Sequence, residues 1–86
     1  MIFNSACKFC YEAFKKEYNS GIGSIQECKD YWIFYKKSEE TEYGISPILV
    51  YKEDKQPILL TFDLFLDLSS EINNAVNIEV PEEYTV

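Results

Sequence analysis

The chain predicts an α+β fold: an N-terminal helix, a three- to four-stranded antiparallel sheet and a C-terminal helix packed on one face. Three observations predict it. Apolar residues recur at three- and four-residue spacing near the N-terminus. Aromatic and β-branched runs separated by polar turns fill the middle. A second helical spacing follows the last of these runs.

Ala6, Phe9, Cys10, Ala13, Phe14 and Tyr18 form the apolar face of a helix over residues 5–18. Ser5 stands as its N-cap, with Lys8 at the position where a capping box has Glu. Glu12 and Lys16 make an i,i+4 pair on the outer side. Asn19-Ser20-Gly21 stops the helix, and Gly21-Ile22-Gly23-Ser24 reads as a turn. Ile25 to Cys28 carries a faint strand signal. Tyr31-Trp32-Ile33-Phe34-Tyr35 carries a strong one, apolar on both faces, and ends at Lys36-Lys37. Residues 38–42 are a polar loop. Ile48 to Tyr51 is another strand apolar on both faces. Lys52 to Gln56 turns the chain, and Pro57 leads into Ile58-Leu59-Leu60, so the last two strands read as a hairpin.

Thr61 is an N-cap candidate for a helix over 62–73, where Leu64, Phe65, Leu68 and Ile72 fall at helical spacing. Asp63 suits the positive end of that helix. The competing reading continues the strand through Phe65. Asn73-Asn74 ends the helix, residues 75–80 alternate as a short edge strand, and 81–86 read as a tail of the single domain 1–86. Two helices on one face would leave the other partly open. Strands apolar on both sides then imply spare apolar surface, and with it a partner or a second copy.

Composition narrows the function. Eighty-six residues make one small domain, burying roughly 60–65% of its unfolded surface. An apolar fraction of 47% with seven Tyr, six Phe and one Trp speaks for an ordered core. The net charge is −7, every basic residue is Lys, and there is no His. Lack of His removes the commonest general base and metal ligand, and lack of Arg the bidentate clamp for phosphate. Nucleic acid and anionic membrane surfaces would be repelled. Residues 44–86 carry a balance of −6 against −1 for residues 1–43, a field that steers encounter with a basic partner and also keeps a small protein in solution.

Chemistry-bearing constellations are few. Cys7-Lys8-Phe9-Cys10 pairs two thiols, yet a structural zinc site needs four ligands, and Cys28 is the one further Cys. A redox motif needs a preceding strand, which is missing here. The expected roles are Cys10 in the core and Cys7 at the helix edge. Asp63 and Asp67, one turn apart, read as solvated charge, and Gly21-Ile22-Gly23 is too short for a phosphate loop. No enzyme activity, cofactor or metal is expected. Three cysteines, no basic leader and no long apolar run place the chain in the cytoplasm. Trp32 and Phe34 belong in the core, whereas Tyr31, Tyr35, Tyr43 and Tyr51 have the amphipathic character of recognition anchors as well.

Tyr31-Trp32-Ile33-Phe34-Tyr35-Lys36-Lys37-Ser38 followed by Tyr43-Gly44-Ile45-Ser46-Pro47-Ile48-Leu49-Val50-Tyr51-Lys52 resembles the YrhB/Imm35-like group of bacterial immunity proteins. Those have a Trp-led aromatic strand ending in Tyr-x-Ser, then a Gly-x-x-Pro-Ile-hydrophobic-Val strand with a Lys just beyond. The matching residues are Trp32, Tyr35, Ser38, Gly44, Pro47, Ile48, Val50 and Lys52. The family's Asp-Gly turn is replaced by Asp54-Lys55, and its Gly-Thr-Ala segment by Leu60-Thr61-Phe62-Asp63, so the match is confined to residues 31–60. The resemblance implies a toxin inhibitor that binds a cognate bacterial toxin, most simply a nuclease with a basic cleft, and occludes it over about 1,200–2,000 Å². Loop position and charge single out Glu39, Glu40, Glu42, Glu53 and Asp54 as contacts, with Tyr43 as an anchor. Two other readings compete. One is an acidic nucleic-acid mimic that inhibits a host or phage-defence protein. The other is a structural module, a homodimer or larger, built on the spare sheet face.

Overall fold

The computed structural model describes residues 1–37 and 47–86. Among them are helix α1 (Phe3–Tyr18), strands β1 (Ile22–Glu27), β2 (Tyr31–Lys36), β3 (Ile48–Tyr51) and β4 (Ile58–Leu59), helices α2 (Phe62–Asp67) and α3 (Ser69–Asn73), and strand β5 (Val76–Ile78). All strand pairs are antiparallel, in the order β4-β3-β2-β1-β5. The α+β class stands. The sheet has five strands because residues 76–78, expected at an edge, pair with β1 and complete it.

Helix α1 begins at Phe3, two residues before the expected Ser5 cap. Ile2 is its N-cap, in extended conformation and without a side-chain cap. The early start places the Phe3 ring 5.5 Å from that of Trp32, so aromatic packing replaces the missing cap. At the other end Asn19 takes the left-handed conformation (φ 53°), its N–H donating to Lys15 O at 3.0 Å, and Lys15 and Lys16 suit the negative helix end. The buried stripe is Ala6, Cys7, Cys10 and Phe14. Cys7 is therefore in the core and not at the edge, while Phe9, expected inward, is exposed.

The glycine turn of the sequence reading is the start of β1. Ile22 is fully buried, and that burial holds the segment in the sheet against local turn propensity. A bulge takes up the extra residue: Ile22 pairs with Lys36 and Ser24 with Tyr35. Gly23 lies between them, where an added Cβ would come within 2.8 Å of Lys37 Cα.

The central strands are apolar on both sides because both faces are covered. Ile22, Ile25, Trp32, Phe34, Ile48 and Val50 face α1. Tyr31, Ile33 and Leu49 face the other way, with Leu60 and Ile72. The expectation that two helices share one face is thus corrected. From β4, at one edge, the chain crosses the second face through α2 and α3 to β5 at the far edge. The spare sheet face is used up inside the molecule.

Thr61 caps α2 as expected, its Oγ1 accepting from Leu64 N at 3.3 Å. The single helix expected over 62–73 is two, broken at Leu68 (φ −101°, ψ 8°). In the segment expected as a tail, 81–86, Glu82–Tyr84 form a 3-10 turn, and the Tyr84 ring lies 5.6 Å from that of Tyr11. Its close approach to β1 needs Gly21, where a Cβ would meet Thr85 C at 2.7 Å.

Candidate partner-binding surface

Three surfaces carry candidate functional side chains. The first is the β3–β4 turn. Glu53 and Asp54 are exposed there, as the sequence placed them. Asp54 lies 3.6 Å from the terminal ammonium of Met1, which also donates to the carbonyls of Lys52 and Glu53. Glu53 is 3.7 Å from Lys55. Such exposed pairs hold little energy and leave both carboxylates open to a partner. The other expected contacts, Glu39, Glu40, Glu42 and Tyr43, lie outside the described residues.

The second is an open cleft of about 640 Å³ between the end of β1 and α3. Lys52 Nζ reaches Glu27 Oε2 at 2.9 Å, and Trp32 Nε1 donates to the same oxygen at 3.3 Å. The hydrogen bond from Lys52 holds the Glu27 carboxyl below its ordinary value. Lys52 also sits 5.5 Å above the Trp32 ring. Lys52 and Trp32 are thus engaged with each other. The cleft mixes Lys29 and Lys52 with Glu27 and Glu71, a lining without net preference for one sign.

The third was missed by sequence reasoning. Helix α2 directs Leu64 toward the sheet, and Leu68 follows it. Phe62, Phe65 and Leu66, at i, i+3 and i+4, form the opposite stripe and are exposed, Phe62 at 74% and Leu66 at 54%. Phe65, assigned to the buried side from its spacing, is on this outer stripe. Just before α2 in the chain, edge strand β4 exposes Leu59 at 61%, together with Ile58. A recess of about 80 Å³ opens between Leu59, Ile48 and the end of α1, with Phe14, Tyr18 and Glu17 in its wall. Asp63 and Asp67 stand at the margin of the stripe and make no ion pair among the described residues. The signal was in the sequence: Phe-Asp-Leu-Phe-Leu-Asp is apolar on two opposite sides of a helical wheel, and a short helix at a sheet edge buries one.

The tyrosines divide. Tyr31 is buried, and its hydroxyl has no hydrogen-bond partner among the described residues. Burial, with Cys28 and Glu71 beside it, pushes its pKa up. Tyr35 donates to Gln26 Oε1. Tyr51 stands edge-on to Tyr31, with Lys55 4.9 Å above its ring. Cys7 and Cys10 are free and buried, and burial pushes Cys7 up to about 11 and Cys10 further, so both are held as thiols. Among the described residues no group of three His, Cys, Asp or Glu is placed to hold a metal ion, and no helix is long and apolar enough to cross a membrane. Comparison with protein-family models, with curated proteins and with solved structures returned no match.

Proposed function

We propose that this chain is an immunity protein, a cytoplasmic toxin inhibitor that binds a basic bacterial toxin directly and occludes its active surface. The observation that carries the reading is the charge. The balance of −6 over residues 44–86 rests on exposed carboxylates, among them Glu53 and Asp54 on the β3–β4 turn and Asp63 and Asp67 on α2. Such a surface accelerates encounter with a cationic protein and adds specificity. The likeness of residues 31–60 to immunity proteins supports the same reading. Occlusion asks no catalytic group of the inhibitor; it asks for a preorganised surface, which a sheet covered on both faces supplies.

Glu53 and Asp54 serve as steering charges. Glu39, Glu40 and Glu42 extend that role, with Tyr43 as a further anchor. The test is affinity capture of a toxin domain followed by titration of its activity. The reading expects activity to vanish at one equivalent of the chain and association to slow as salt is raised. Recovery of a host nucleic-acid enzyme that the chain inhibits in competition with DNA or RNA would replace it with the mimic. A dimer without any partner would leave the structural module.

A further inference from the structure

The geometry points to the shoulder formed by β4 and α2 as the docking face, and to a partner segment there that presents an apolar ridge bordered by Lys or Arg. The inference rests on the reading of the chain as a binder of basic protein and names the anchor within it.

The fold does not use this surface. Leu59, Phe62, Phe65 and Leu66 gather within eight residues of chain, while Leu64 and Leu68 already satisfy the sheet. Large exposed apolar groups so concentrated mark interaction sites. Aromatic anchors rimmed by polar groups are the usual core of a protein interface. Strand β4 is two residues long and preceded by Pro57, an edge poorly suited to accepting another strand. Docking by side chains is therefore favoured over strand addition. The small recess beside Leu59 opens on the α1 side of the sheet, because Leu59 pairs with Ile48, which faces α1, so the α2 stripe is the principal anchor.

Charge selects the occupant. Asp63 and Asp67 border the stripe without a cation of their own among the described residues, and Glu17 stands in the recess wall. On the α1 side Lys36 already lies 5.2 Å over the Tyr18 ring, so the partner's cations belong on the α2 side. A second copy of this chain would bring −7 and set Asp63 and Asp67 against their own kind in a two-fold contact. The chain's own residues 38–46 carry three Glu and no Lys. An anionic lipid surface repels the same carboxylates. A cationic, apolar protein segment is the occupant that matches both features.

The test uses the intact ¹⁵N-labelled chain and two synthetic amphipathic helical peptides with the same leucine stripe, one flanked by Lys and the other by Glu. The Lys peptide is expected to shift the amide resonances of residues 58–67 and to bind more weakly as salt rises. The Glu peptide is expected to leave them unmoved. Joint Phe62→Ser and Leu66→Ser substitution should weaken the Lys peptide roughly tenfold or more, the scale of a lost apolar anchor, while Phe62→Leu retains it. Shifts centred on Glu53 and Asp54, with the Ser variant binding as tightly as the parent, would overturn the proposal. So would a dimer of the free chain that Phe62→Ser dissociates, or contacts from Tyr43 or Ile45 onto Phe62 in the free protein. Toxin neutralisation reads an activity and this experiment reads a location. A chain that neutralises nothing can pass here, and one that neutralises through another face fails here alone.

Discussion

The two faces of the sheet are covered in different ways. Helix α1 crosses one face as a single element of 16 residues, with Ala6, Cys7, Cys10 and Phe14 buried in one stripe. The other face is covered by α2 and α3, of six and five residues, in which Ile72 is the one buried residue among those described. The long helix puts its stripe into the core and leaves a mostly polar outer side. The short α2 is apolar on both sides and can seat one of them. What the first face contributes is buried core; what the second leaves over is exposed apolar surface, the surface proposed above for docking.

That contrast can be broken first at the α1 face. Phe34 is fully buried in the cluster beneath α1. Phe34→Ala should destabilise by about 3–5 kcal/mol, read from the urea midpoint. A loss below about 1 kcal/mol would deny that this face holds the fold.

On the second face the largest effect should be a gain. Among the described residues the Tyr31 hydroxyl has no hydrogen-bond partner, and leaving such a group unsatisfied costs about 1–3 kcal/mol. Tyr31→Phe should therefore leave stability unchanged or raise it by about 1 kcal/mol, checked by thermal melting. A clear loss would mean that the hydroxyl has a partner. Thr61→Ala removes the cap of α2 and should cost about 0.5–1 kcal/mol. Because α2 contributes no fully buried side chain, the loss should fray α2 before the sheet, seen as faster amide exchange at Leu64 and Phe65.

The smallest effect concerns acid. Lys52 lowers the Glu27 pKa in the folded state, so the pair's contribution is present above the ordinary carboxylate value of 4.5. It is lost as the pH falls through the lowered folded value. The pair is partly exposed, which keeps the effect small. Glu27→Gln should flatten the acid limb below pH 4.5, its small cost appearing in full above that value, neutral pH included, and vanishing at low pH. An unchanged acid limb would show that the ion pair does not form in solution.

Much of the fold was legible where local pattern and tertiary demand agree. The α1 periodicity, the aromatic β2, the β3–β4 hairpin and the Thr61 cap all follow from residues within one or two turns of each other. Ile22 and Gly23 were misread as a turn because their strand pairing is enforced by distant contacts: burial of Ile22 and the close approach of Lys37. The sides taken by the helices were illegible for a similar reason. The continuous apolar runs of β2 and β3 say that both faces are covered, but the crossover from β4 to β5 decides by what. Of the expected contacts, Glu53 and Asp54 are exposed on the hairpin turn because a run of polar residues between two strands has nowhere else to go. The shoulder at Phe62 and Leu66 was overlooked because one helical stripe was counted where the wheel has two.

The most direct measurement is made on Phe62→Ser: its urea midpoint and its affinity for the basic partner proposed for the parent chain, determined on the same preparation. Removal of an exposed ring should leave the midpoint within about 0.5 kcal/mol of the parent while affinity falls roughly tenfold or more. Unchanged affinity, or a loss of stability that accounts for the loss of binding, would contradict the division of the molecule into a face that folds and a shoulder that recognises.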